Sequence, residues 1–153
     1  MEPDQLFQSE TDPGFVMRTA IFPANNKNLD SIREFVATAA KDAGCDEAGV
    51  YAIQLAADEA CSNIIEHAYK TEDDGEIECT CSQDGDYLVV VFRDHGTSFN
   101  PDLVPEPDLT GNLNKRQIGG LGLYLIRHLM DEVIYESLEE AGNVLTLKKH
   151  IVG

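Results

Sequence analysis

Three clusters of residues in this chain have types and spacings that could do chemistry. Glu59, Asn63 and His67 lie four apart. On a helix each step of four turns the side chain by roughly 40°, so the three form a slanting stripe along one helix edge. A carboxylate and an amide placed there can line a cleft without being stranded in the interior, although the same residues would also suit a solvated helix face. Asp94-His95-Gly96 follows an apolar run, with Phe99-Asn100-Pro101 just beyond. Asp94 shares its parity with Leu88, Val90 and Phe92, so it is either an acceptor for a ligand's N–H donors or a turn former bonding its own backbone. Gly96 permits a close approach or a positive φ. The third cluster, Ile118-Gly119-Gly120-Leu121-Gly122-Leu123, opens a helical pattern. Backbone N–H groups freed of side chains at a helix start suit phosphate oxygens, and a glycine cluster is equally suited to a flexible joint. No P-loop pattern is present, and the glycines follow a long loop rather than a strand, which excludes the dinucleotide fingerprint.

The elements that must position these clusters are readable from periodicity. Phe15 to Pro23 is rich in β-formers and reads as a strand. Leu29, Ile32, Phe35, Val36 and Ala39 recur at helical steps until Gly44. Val50, Ile53, Ala57, Ala60, Ile64 and Ala68 define a second helix from Glu47 to about Tyr69, which carries the Glu59 stripe. Ile77, Cys79 and Cys81 alternate with polar residues as in a half-buried strand, and Tyr87 to Arg93 is apolar on both faces, as in an interior strand that Asp94 ends. Residues 95–118 hold three prolines and no period, a stretch long enough to be a lid or an insert. A third helix with Leu123, Ile126, Leu129 and Met130 follows, then strands around Val133 to Ser137 and Asn143 to Ile151. The expected class is an α/β (α+β) two-layer sandwich, its mixed, mainly antiparallel sheet covered on one face by helices. Residues 1–14 read as a flexible tail and 15–153 as one domain.

Composition bounds the function. The 153 residues suit one domain, and 42% hydrophobic with 25% charged residues describes a globular chain with a packed core. The formal net charge of −17 opposes binding to nucleic-acid phosphates or anionic lipid. No apolar run approaches the ~20 residues of a membrane helix, so a soluble, cytoplasmic protein is expected. Cys45, Cys61, Cys79 and Cys81 show no metal or disulfide spacing and are assigned to packing.

In order and spacing the three clusters resemble the N, G1 and G2 boxes of the GHKL superfamily of ATPases and kinases. Glu59-Ala-Cys-Ser-Asn63-Ile-Ile-Glu-His67-Ala-Tyr69 is similar to the N box. Asp94-His-Gly96-Thr-Ser-Phe99-Asn100-Pro101 is similar to G1, and Gly119-Gly120-Leu121-Gly122-Leu123 to G2. The compact length, the Leu29 to Val36 helix and the Leu129 to Val133 stretch further resemble the anti-sigma-factor serine/threonine-protein kinases of bacterial partner-switching systems, from about Val16 to the C-terminus.

That resemblance implies a Bergerat-type, histidine-kinase-like ATP-binding fold with a lid near 95–118. It implies ATP and Mg²⁺ as cofactors, with Asn63 coordinating the metal. Asp94 would accept from the adenine amino group, and Gly96, Phe99 and Asn100 would let the base lie against the backbone. Gly119, Gly120, Leu121 and Gly122 would cradle phosphate, with Lys115 and Arg116 supplying positive charge. Glu59 would be the catalytic base for a serine hydroxyl. His67 would support the pocket by hydrogen bonding or simply pack. The implied partners are a sigma factor, an anti-sigma-factor antagonist phosphorylated on serine or threonine, and a second copy in a homodimer. The competing readings are a nucleotide-binding module that sequesters a partner without catalysis and a regulator of a target other than a sigma factor.

Overall fold

The computed structural model describes residues 17–68, 75–96, 124–138 and 142–151. The chain begins with β1 (Arg18–Pro23), and a 3-10 turn at Asn26–Asn28 leads into α1 (Leu29–Ala43). Gly44 stops α1 as expected. It sits at φ 99°, and its N–H and that of Cys45 close on the carbonyls of Lys41 and Ala40 at 3.1 and 3.0 Å. α2 (Glu47–Asn63) opens where the Asp46 carboxylate accepts the Gly49 N–H at 2.8 Å, satisfying one of the first-turn donors. β2 (Glu76–Asp84) and β3 (Tyr87–Asp94) form a hairpin whose turn places Gly85 at φ 58°. A helical segment at 124–129 precedes β4 (Glu132–Ser137) and β5 (Asn143–His150).

The five strands lie in the order β1-β2-β3-β5-β4, and every adjacent pair is antiparallel. Among the described residues the sheet is therefore antiparallel throughout rather than mixed as expected. Two helices separate β1 from β2, so the chain returns reversed. β4 does run in the direction of β3, but β5 inserts between them and pairs with both.

Helices α1 and α2 cover one face. Ile32, Val36 and Ala39 from α1 and Ile53, Ala57, Ala60 and Cys61 from α2 meet Ile77, Cys79, Cys81, Leu88, Val90, Phe92 and Leu147 in one core. Ala52, Ala56, Ala57 and Ala60 give α2 a small-residue face against its neighbours. Burial alternates along β2 and β3, and it places Asp94 on the core side with Phe92 and Val90. Val89 and Val91, the other apolar face of β3, are only half-buried.

All four cysteines are free thiols. Burial pushes the Cys61 thiol far up, and its hydrogen bond with Cys81, followed by burial, does the same for Cys79. Cys45 is half-buried and raised by burial and by the Asp46 charge. Thiolate being the reactive form, a disulfide-exchange reagent in neutral buffer should titrate Cys45 alone, and slowly; the other three should react only in denaturant. Two or more fast thiols in the native protein would contradict this packing.

Candidate active site

The site is built where the C-terminal end of α2 comes over the end of β3. Cys61 marks the junction, since its thiol lies within electrostatic reach of both Asp58 on α2 and Asp94 on β3. Glu59, half-buried on α2, holds its proton more tightly than an ordinary carboxylate; burial is the larger cause, followed by the charges of Asp58 and Glu66. A carboxylate in that state can accept a proton near neutral pH better than a fully solvated one.

Asn63 closes α2 one turn later. Its amide nitrogen is buried and has no hydrogen-bond partner among the described residues, a costly arrangement that points to a ligand. Beyond it the helix widens into a π turn over Ile64–Ala68. The stripe inferred from uniform helical steps thus holds from Glu59 to Asn63, whereas His67 sits on backbone of a different register.

Asp94 is 4% exposed. Its Oδ1 accepts the Gly96 N–H at 2.9 Å, which is the turn-forming role, and also the Asn143 side-chain amide at 3.0 Å. Among the described residues none bonds Oδ2, so the acceptor role remains open on the same carboxylate. Asn143 is itself fixed: it donates to the Gly96 carbonyl at 3.0 Å and accepts from the Ser137 hydroxyl at 3.1 Å. Gly142 stands beside it at φ 92°, and a Cβ there would lie 2.4 Å from the Asp94 carbonyl oxygen. Neither Gly142 nor Asn143 is among the candidates that residue type and spacing suggest, and Asn143 enters there only as a strand start. Their role rests on the pairing of Asn143 with Asp94 across β3 and β5.

Phe99, Asn100, Lys115, Arg116, Gly119, Gly120, Leu121 and Gly122 lie outside the described residues, as does the His67 side chain. Among the described residues no three metal-ligating side chains converge. The residues present nevertheless fit a nucleotide-bound Mg²⁺, because turning the Asn63 amide over would bring its oxygen, a ligand suited to a hard cation, to the place of the unpartnered nitrogen, and such an ion takes most of its ligands from phosphate and water.

An antiparallel sheet under helices, with an acid–amide pair on a helix edge and an aspartate at the end of the central strand, defines a nucleotide-binding domain of the histidine-kinase type. Residues 22–149 match the family model described as a histidine kinase-like ATPase domain. The chain belongs to that family, and within it to the family of the RsbW serine-protein kinases. It is 31% identical over 136 residues to serine-protein kinase RsbW of Bacillus subtilis (strain 168), covering 86% of this chain and 83% of that protein. To serine-protein kinase RsbW of Listeria monocytogenes serotype 4a (strain HCC23) it is 34% identical over 119 residues, covering 75% and 76%. The fold is shared with a structure of the RsbU and RsbW domains of Rv1364c from Mycobacterium tuberculosis. There the TM-score is 0.64 at 18% identity, over 89% of this chain and 32% of the other, so the chain spans about a third of that structure. A histidine kinase domain from Erythrobacter litoralis EL346 superposes with a TM-score of 0.51 at 19% identity, over 96% of this chain and 70% of the other.

Proposed function

We propose that this protein is an anti-sigma regulatory factor with ATP-dependent serine/threonine kinase activity, which binds a sigma factor and phosphorylates an anti-sigma-factor antagonist. The observation that carries the chemistry is the proton-retaining Glu59 one helical turn before the orphaned Asn63 amide. Glu59 takes the proton of the attacking serine hydroxyl. Asp94 accepts from the adenine amino group through Oδ2, while Asn143 and the Gly96 N–H hold Oδ1. Gly96, Phe99 and Asn100 let the base lie against the backbone, and His67 supports the pocket. The N–H groups of Gly119, Gly120, Leu121 and Gly122 receive phosphate oxygens, with Lys115 and Arg116 supplying positive charge in an otherwise acidic chain. When bound with ATP, Mg²⁺ held through Asn63 neutralises phosphate charge. A partner that carries basic surface suits the net charge of −17.

A second copy of the chain is the further expected partner. Support comes from β1, an edge strand of the described sheet that carries exposed Ile21 and is preceded by exposed Met17. No helix among the described residues is long and apolar enough to cross a membrane.

Calorimetry with Mg-ATP is the first test. Saturable, Mg-dependent binding supports the kinase, and labelled phosphate should then pass from ATP to serine of an antagonist captured on the immobilised protein. No binding at millimolar ATP would leave only a partner-sequestering module. Asn63→Ala should remove the Mg²⁺ dependence of binding and weaken Mg-ATP affinity by about tenfold or more, the cost of one charge-assisted ligand. An unchanged Mg²⁺ dependence would exclude Asn63 as the ligand.

A further inference from the structure

The Glu59 base has a neighbour whose partner comes from another helix. Arg33 on α1 places Nη1 2.5 Å from Oδ1 of Asp58 on α2, and its other Nη pairs with Asp30 on its own helix. Asp58 immediately precedes Glu59, and side chains of consecutive helical residues leave the axis about 100° apart. Asp58 is thus turned to α1 by a bond that Glu59 does not share.

As a staple the pair has little to offer, since both side chains are partly exposed, at 35% and 28%. Its placement is more informative. The Asp58 and Glu66 carboxylates, on α2 and its π extension, each act on Glu59, and Asp30 on α1 shares Arg33 with Asp58. On β3, Asp94 is within reach of Cys61. Arg33 is the cation that bonds into this acidic group from α1.

We propose that Arg33 is a positioning residue for Glu59: by holding the Asp58 carboxylate against α1 and offsetting its charge, it keeps Glu59 ionised and able to accept a proton. The proposal rests on the reading of Glu59 as the base. It makes the base sensitive to the α1–α2 contact, because any partner or substitution that takes Arg33 away from Asp58 raises the pH at which Glu59 works. An open groove of about 330 Å³, lined by Arg33, Tyr51, Gln54, Leu55 and Asp58, admits solvent beside the pair. The shift is therefore smaller than for a sealed ion pair.

The test is a carboxyl-carbon NMR titration of the full chain without nucleotide, with the Glu59 signal assigned by its loss in Glu59→Gln. Arg33→Gln should raise the Glu59 midpoint by about 0.5 pH unit, and Asp58→Asn should lower it by a similar amount. In the Asp58→Asn background, Arg33→Gln should move the midpoint less than half as far as it does alone, and Arg33→Lys should restore most of the wild-type value. An unmoved midpoint in Arg33→Gln, or an equal shift with and without Asp58, would overturn the proposal. Should Arg33→Gln fail to fold, Asp58→Asn decides alone, since a midpoint that does not fall is equally fatal. The titration reads ionisation rather than turnover, so a chain that transfers no phosphate would refute the kinase while leaving this result to stand or fall separately. Where transfer occurs, the acid limb of kcat should follow the midpoint at unchanged KM for ATP.

Discussion

Glu59→Gln should lower phosphoryl transfer by about 10³-fold, the usual scale for removing a general base, while Mg-ATP affinity stays within about an order of magnitude. Glutamine keeps the size and hydrogen-bonding ends of the side chain but cannot take a proton. The same substitution should stabilise the protein at pH 7. The folded-state pKa of Glu59 lies above its unfolded value, because burial and then the charges of Asp58 and Glu66 disfavour the ionised form. The folded state therefore binds the proton more readily, stability falls as pH rises through that folded pKa, and at neutral pH the ionised Glu59 is a cost. Removing it should gain on the order of 0.5 kcal/mol, a small figure because the side chain is half exposed and screened. The gain should vanish below the ordinary glutamate pKa, where both states are protonated. Single-turnover transfer, calorimetry and thermal melts at pH 7 and pH 4 check the three parts. Equal loss of transfer and of nucleotide binding would make Glu59 a binding residue instead.

Gly142→Ala should cost about 2–4 kcal/mol of stability and weaken nucleotide binding more than tenfold. A Cβ would sit 2.4 Å from the Asp94 carbonyl oxygen, backbone that cannot swing aside like a side-chain end, and φ 92° is itself unfavourable for alanine. The structure must yield by moving β5 from the end of β3, which separates Asn143 from Asp94 and frees the carboxylate to turn. Asn143→Ala is the milder comparison. It leaves the backbone in place but removes the donor to Asp94 and Gly96, so it should weaken ATP binding with a smaller loss of stability. If Gly142→Ala melted and bound as the unaltered protein does, the close approach of β5 to Asp94 would be wrong.

Much of this architecture was legible in the residues, for reasons that also mark where legibility ended. The alternation of Ile77, Cys79 and Cys81 and the helical steps of Ile32, Val36 and Ala39 are local patterns imposed by one buried face, and the structure buries those faces. Gly44 stopped α1 because a left-handed cap needs no neighbour to specify it. The insertion of β5 between β3 and β4 was not legible, since periodicity announces a strand but not its partner. The same limit hid Asn143, whose importance lies in the residue opposite it, and the Arg33–Asp58 bond, which joins residues 25 apart in the chain on two helices. The π turn after Asn63 escaped because uniform helical steps were assumed where the backbone widens. Chemical type and spacing offered Glu59, Asn63 and Asp94 as candidates, and the structure places them on elements that meet at one end of the sheet.

The position of β5 also has a kinetic consequence. It is the last strand in chain order, yet it lies inside the sheet, hydrogen-bonded to β3 on one side and β4 on the other. Its contact with Asp94 spans 49 residues of sequence, a separation whose loop-closure entropy must be met before the contact rewards it. Until residues 143–150 have docked, β4 has no strand to pair with, and Asp94 lacks the donor that aims its carboxylate. The nucleotide pocket should thus be among the last parts of the molecule to form, and a chain interrupted before β5 should expose an unpaired β3 edge to aggregation or proteolysis before it ever meets ATP.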